Sequence, residues 1–226
     1  ELEVTCRGEV QAETAYLIDI KTVDGAVRRA AVPTFARAKD AGRSGPGVMA
    51  EVWTHLAEPL RSSGVQLVRV RWNRSPYDSI EMTAASPCSV LYRQRFDFAA
   101  AHRLHNPALS DAENQRLYGK CNNPRGHGHN YQFEPCIEVP VGAPEFSTAG
   151  VERLCQRHLL DRFDHKNLNE DTVEFGSPAG VNPSVENIAR VFFELLAEPV
   201  AREMPGCALR TMTVWETDRT AATYPA

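Results

Sequence analysis

Tyr118-Gly-Lys-Cys-Asn-Asn-Pro-Arg-Gly-His-Gly-His-Asn-Tyr131 is the stretch on which the reading of this chain turns. It sets one cysteine in a turn-rich loop and two histidines, His127 and His129, on the segment after that loop. If a strand begins after Gly126, side chains alternate between faces and both imidazoles point the same way. Gly128 leaves the opposite face open. Upstream, Phe96-Asp-Phe-Ala-Ala-Ala-His102 also reads as a strand ending in a histidine. Three imidazoles converging from two adjacent strands form a zinc site with a fourth position open to substrate. Cys121 would lie beside that metal, where a thiol can ionise.

Outward from this motif, strands are predicted over 90–102 and 127–139, joined by a long connection at 105–126. Connections of that length are usually functional. A helix fits 150–163, and a second begins at an N-cap, Ser184, and runs to about Glu198. Two strands, Ala208–Thr217 and Thr220–Tyr224, end the chain. Before the motif, residues 1–10 alternate as a strand. Helices fit 22–32 and 48–60, the second carrying an apolar stripe of Val48, Val52, Trp53, Leu56 and Leu60. Strands are predicted next at 65–72 and 78–83. Gly/Pro-rich loops are expected at 40–47 and 176–183, and Pro135, Pro140 and Pro144 are expected to interrupt the strand that carries the two histidines.

The halves repeat in element order. Val48-Met-Ala-Glu-Val-Trp-Thr-His-Leu56 parallels Val185-Glu-Asn-Ile-Ala-Arg-Val-Phe-Phe193, and Leu67–Asn73 parallels Arg210–Glu216. The division predicted is 1–87 and 88–226. The first half lacks the histidine motif.

Composition excludes some classes. The 226 residues carry a net charge of −4, with basic residues scattered, so no nucleic-acid footprint is present. No stretch reaches transmembrane length, and no signal peptide is recognisable. The six cysteines, at 6, 88, 121, 136, 155 and 207, form no Cys-x-x-Cys pair and no tight framework. Free thiols in a reducing cytoplasm are expected, with all but Cys121 buried as small apolar residues. The chain starts at Glu1, so upstream residues are expected to have been removed or to lie outside this sequence.

Phe98-Ala-Ala-Ala-His-Arg-Leu104, the Tyr118–Tyr131 motif, Asp164-His-Lys-Asn-Leu168, Glu186-Asn-Ile-Ala189 and Trp215-Glu-Thr217 together resemble the 6-pyruvoyl-tetrahydropterin synthase family, over about residues 90–226. The resemblance implies an α+β chain of tandem T-fold (tunnelling-fold) units. Each would have an antiparallel sheet with a helix pair on one face, closing with other copies into an oligomeric barrel. Residues 1–83 are similar only to a degenerate copy.

The resemblance also implies a zinc-dependent lyase converting 7,8-dihydroneopterin triphosphate to 6-pyruvoyl-tetrahydropterin and triphosphate. The rival is the related 6-carboxy-tetrahydropterin synthase, which also releases acetaldehyde. A rival of another class is a non-catalytic zinc- or pterin-binding subunit. Five residues between Cys121 and His127 favour the pyruvoyl type. His102, His127 and His129 would hold Zn²⁺. Cys121 would be the general base, with Asp164 orienting His165 as a proton relay. Glu216 would accept two N–H bonds from the pterin, with Ser184 and Glu186 contributing. The partners implied are a small-molecule pterin and further copies of the chain, with sites at interfaces, and neither nucleic acid nor membrane.

Overall fold

The computed structural model describes residues 1–41, 43, 45–143, 146–176 and 180–226. The parts of the predicted 40–47 and 176–183 loops at 42, 44 and 177–179, together with Pro144, lie outside the described residues. The chain divides into two compact units, Glu1–Arg93 with Glu138–Pro144, and Gln94–Ile137 with Glu145–Ala226.

The first unit runs β1 (Leu2–Arg7), α1 (Ile20–Asp40), α2 (Pro46–Ser62), β2 (Gln66–Asn73), β3 (Asp78–Thr83) and β4 (Ser86–Gln94). The strands neighbour one another in that order, with β1/β2 and β2/β3 antiparallel. Of the predicted α2 stripe, Val48, Val52, Leu56 and Leu60 are buried, joined by Met49, while Trp53 is only half-buried. Gly64, at φ +85°, ends this segment in a conformation that L side chains avoid.

The second unit continues with β5 (Phe96–His102), α3 (Asp111–Tyr118), β6 (His127–Pro140) and α4 (Thr148–Cys155). It then runs α5 (Asp161–Phe163), β7 (Lys166–Asn167), α6 (Leu168–Asp171), α7 (Val185–Glu203), β8 (Ala208–Thr217) and β9 (Thr220–Tyr224). Its sheet order is β9-β8-β6-β5-β7, with β5/β6 and β8/β9 antiparallel and β7 parallel to β5. The α+β class is therefore as expected.

Phe192 on α7 anchors the core of this unit. Its ring packs against Phe163, Phe98 and Phe133 at centroid distances of 4.9, 5.3 and 5.5 Å, and the residue is 1% exposed. Phe192→Ala is expected to cost about 3–5 kcal/mol, read as a lowered urea midpoint.

Several expectations need correction. The single strand predicted over 90–102 is two, β4 and β5, separated at Arg95. The 105–126 connection holds a helix, α3, preceded by a capping box. Ser110 accepts from the Glu113 N–H while the Glu113 carboxylate accepts from the Ser110 N–H. The sequence signal for it is Ser110-Asp-Ala-Glu113.

Proline breaks fewer elements than its local cost suggests. α1 runs through Pro33, α2 through Pro59 and α7 through Pro199. An interior proline costs about 3 kcal/mol of helix stability. Beyond Pro199, Val200 of α7 and its C-cap Met204 are 0% and 2% exposed, so their burial offsets that cost. β6 likewise passes Pro135. Its pairing with β5 ends at Phe96↔Phe133, so no ladder bond to β5 is lost there. Cys136, Cys155 and Cys207 are buried as expected, whereas Cys88 is exposed and Cys6 half-buried. Among the described residues, no helix is long and apolar enough to cross a membrane.

Candidate functional site

The β5/β6 register builds the site. Phe96 faces Phe133, Phe98 faces Tyr131, Ala100 faces His129, and His102 faces His127. An aromatic ladder packed against the helices thus becomes an imidazole ladder at the strand ends. Ala100, the small member opposite His129, leaves room there. β8 adds a fourth group. Met212 and Val214 point into the core, and Glu216, two residues on, continues that face. A register shift between Trp215 and Thr217 makes Glu216 the extra residue of a bulge, a device that re-aims a side chain.

His102, His127, His129 and Glu216 together offer four ligand atoms within 4.8 Å of one another. His102 Nε2 lies 3.0 Å from His127 Nε2. Glu216 Oε1 lies 3.3 Å from His102 Nε2 and 3.4 Å from His129 Nε2. A tetrahedral ion bonded at about 2.0–2.1 Å holds its ligand atoms about 3.3 Å apart, so these spacings fit one. Two further observations agree. His102 Nδ1 is 2.7 Å from the Pro183 carbonyl, which leaves the Nε2 lone pair of a neutral imidazole facing the cluster. His129 Nε2 is buried with no hydrogen-bond partner. Burial holds the pKa values of His102 and His127 below the ordinary histidine value, favouring the neutral, metal-binding form. Burial also pushes the Tyr131 phenol up, so it stays protonated, and its oxygen lies 3.3 Å from His102 Nδ1.

Cys121 sits in the 3-10 turn Gly119–Asn122, half-buried. Its carbonyl accepts from the Leu104 N–H at 2.9 Å, which clips the turn to the chain just beyond His102. The next residue is held harder. Asn122 is 7% exposed, and its side-chain oxygen accepts from Arg103 Nε at 3.1 Å and meets His105 Nδ1 at 3.0 Å. Cys121 is not one of the four clustered groups.

Asp164 and His165 lie apart from the cluster. Asp164 Oδ1 accepts from the Ala99 N–H at 2.8 Å, and Oδ2 lies 2.9 Å from His165 Nδ1. Burial alone would raise the Asp164 carboxyl, but the Ala99 N–H and the His165 imidazole outweigh it and hold the pKa below the usual value. His165 is at φ +56°, held by its N–H to the Ala99 carbonyl at 2.6 Å. A non-glycine residue in that region is under strain that tends to gather at functional positions. Its side chain is 82% exposed. With sheet residues that include Ala99, Ala101, Gly128, Asn130 and also His129 of the imidazole group, it lines an open depression of ≈ 490 Å³.

Ser184 caps α7, accepting from the Asn187 N–H at 3.4 Å. Glu186 lies in the first turn of α7 and is exposed. The structure therefore gathers His102, His127, His129 and Glu216 into one group and leaves Asp164 and His165 outside it. The Asn122 clamp has no counterpart among the sequence expectations.

The family model described as 6-pyruvoyl tetrahydropterin synthase matches residues 91–226. The 6-pyruvoyl tetrahydrobiopterin synthase of Homo sapiens is 34% identical over 140 residues, 61% of this chain and 92% of that protein. The Drosophila melanogaster synthase is 41% identical over 106 residues, 46% of this chain and 61% of that one. The solved structure of Caenorhabditis elegans 6-pyruvoyl tetrahydropterin synthase superposes with a TM-score of 0.53 at 34% identity, covering 60% of this chain and 94% of that one.

Proposed function

The chain belongs to the 6-pyruvoyl tetrahydropterin synthase family, and we propose that it converts 7,8-dihydroneopterin triphosphate to 6-pyruvoyl-tetrahydropterin with release of triphosphate. The observation that carries this reading is the three-imidazole group at the β5/β6 strand ends, with Cys121 clipped beside it. His102, His127 and His129 would hold Zn²⁺. Bound there, the ion supplies Lewis acidity toward the substrate's side-chain hydroxyls.

The chain's own groups do the rest. Cys121 accepts a carbon-bound proton as thiolate. His165, with Nδ1 held by Asp164, keeps Nε2 free to relay it. One copy keeps this dyad apart from the imidazole group, so the dyad that serves Cys121 comes from another copy. That arrangement suits the tandem T-fold units and oligomeric barrel, with 1–87 a degenerate unit and 88–226 the catalytic one. Closure would also cover the strand edges. All six cysteines are free, in keeping with a cytoplasmic setting.

The ring anchor shifts from the sequence reading. Glu216 lies against His102 and His129, where it suits a substrate hydroxyl arriving at the fourth position. Glu186 has no hydrogen bond or ion pair among the described residues, so its two oxygens are available to the pterin's N–H pair, with Ser184 beside it at the head of α7. Loss of a charge-assisted pair costs about 1.5–3 kcal/mol, so Glu186→Gln should raise KM about 10–100-fold at unchanged zinc content. An unchanged KM would return the anchor role to Glu216.

The test of function is product analysis by mass with zinc-loaded protein and 7,8-dihydroneopterin triphosphate. Pyruvoyl-pterin with triphosphate is the expected result. Carboxy-pterin with acetaldehyde, or no conversion by zinc-bearing protein, would overturn it.

A further inference from the structure

Beyond His102 the chain leaves β5 with four successive backbone N–H groups, and each has a partner. The Arg103 N–H donates to the Asn169 side-chain oxygen at 2.7 Å, and the Asn169 amide returns a bond to the Arg103 carbonyl at 3.1 Å. The His105 N–H donates to the Asn182 side-chain oxygen at 3.2 Å, and the Asn106 N–H to that of Asn114 at 2.8 Å. Side chains hold these three. The Leu104 N–H differs, because its acceptor is the backbone carbonyl of Cys121. That bond ties the segment after a metal-binding histidine to the turn that carries the thiol.

One bond fixes a distance but leaves an orientation free. Asn122 supplies the second attachment, and it is 7% exposed. Arg103 Nε lies 3.1 Å from both its backbone carbonyl and its side-chain oxygen. A guanidinium can only donate, so the atom it meets is the amide oxygen. His105 Nδ1, 3.0 Å from the same oxygen, therefore carries a proton and donates as well. Two side chains of the anchored segment, one of them cationic, thus grip the residue next to Cys121. The Asn122 amide nitrogen makes no hydrogen bond among the described residues, so the oxygen alone receives the grip. The turn is pinned at its far end too. At Gly126 a Cβ would sit 3.0 Å from the His102 carbonyl, so the chain there lies directly against β5.

We propose that Asn122 is a positioning residue: its side-chain oxygen fixes the orientation in which Cys121 is held beside the imidazole group. That the thiol so held is the base of the reaction rests on the function proposed above.

The test compares Asn122→Ala and Asn122→Asp in the zinc-loaded, full-length protein. Alanine removes the oxygen. Aspartate keeps it and faces Arg103 with a charge. Hydrogen exchange at single amides, read by fragmentation mass spectrometry, needs no turnover. In Asn122→Ala the Leu104 amide should exchange about 10–100-fold faster, the worth of a hydrogen bond to a charged group. The Arg103 and His105 amides, held by Asn169 and Asn182, should keep the parent's rates. In Asn122→Asp the Leu104 rate should return to near the parent's. An unchanged Leu104 rate in Asn122→Ala, or all three amides accelerating together, would overturn the proposal.

Steady-state kinetics read the consequence for catalysis. A misplacement of about 1 Å costs about 100-fold in rate, so kcat should fall by about that factor in Asn122→Ala at unchanged KM and zinc content, and Asn122→Asp should restore it. A fall in kcat that tracks a lowered urea midpoint and is not restored by aspartate would mean a merely structural role and overturn the proposal. Should Asn122→Ala not fold, His105→Leu removes one donor and leaves Asn122 in place. It should speed Leu104 exchange about 3–10-fold, the worth of one hydrogen bond, and no change there would overturn the grip. Leu104 exchange that responds as expected in a protein that converts no substrate would sustain the positioning of Cys121 and refute the proposed function.

Discussion

Alanine at His127 is expected to strip the protein of zinc and leave the fold standing. The residue lies at the start of β6, is half-buried, and contributes its ring to the cluster rather than to the aromatic core. Its replacement therefore opens no large cavity. Residues that merely orient a metal ligand are worth about 10–100-fold in metal affinity, so removing a ligand should cost about 100-fold or more. Metal content by mass spectrometry should fall from about one zinc per chain to a trace, with the urea midpoint near that of the parent measured without metal. Full zinc occupancy in the variant would refute the ligand assignment. His102 is a poorer choice for this experiment. It is 0% exposed and bonded to Pro183, so loss of metal and loss of packing would be confounded.

Two inactive variants should rescue each other. Cys121→Ala removes the proposed base, and His165→Asn removes the relay. General acid–base groups contribute about 10²–10⁴-fold, so each variant alone should lose at least that much turnover while retaining zinc. If Cys121 of one copy works with His165 of another, denaturing and refolding the two together yields some sites with both groups intact. Random pairing in a symmetric oligomer makes that fraction about a quarter. Activity returning toward a quarter of the parent's is the expected outcome. A mixture as inactive as its components would mean that the two groups act within one chain, and the composite site would fall. The exposed imidazole of His165, which is not one of the clustered groups, is the feature that motivates the experiment.

How much of the fold is legible in the chain depends on the kind of signal. β3, β8 and β9 appear with the predicted ends, because alternation bounded by turn residues is a local pattern. The α2 stripe and the Ser184 cap are local too, and both are found. The misread prolines have one source. Pro33, Pro199 and Pro135 carry a local cost, and packing elsewhere in the chain outweighs or bypasses it. α3 is a different case, since its capping box is a local signal that the expectation of a plain loop passes over. The two-strand division at Arg95 carries no turn signature, so alternation alone cannot find it.

The sequence by itself determined that His127 and His129 share one face of their strand, by the two-residue period. That His102 joins them follows from the β5/β6 register. The sequence also carried the family resemblance, through motifs in a fixed order. Tertiary structure alone decided what joined that group. Glu216 is 87 positions from His129 and reaches it because β8 pairs with β6 and bulges at that point. Tertiary structure alone also left His165 outside that group, bonded through its N–H to the Ala99 carbonyl. Such placements come from pairing and packing between segments distant in the chain. No local period encodes them, because the energies that fix them are contacts that exist only once the chain has folded.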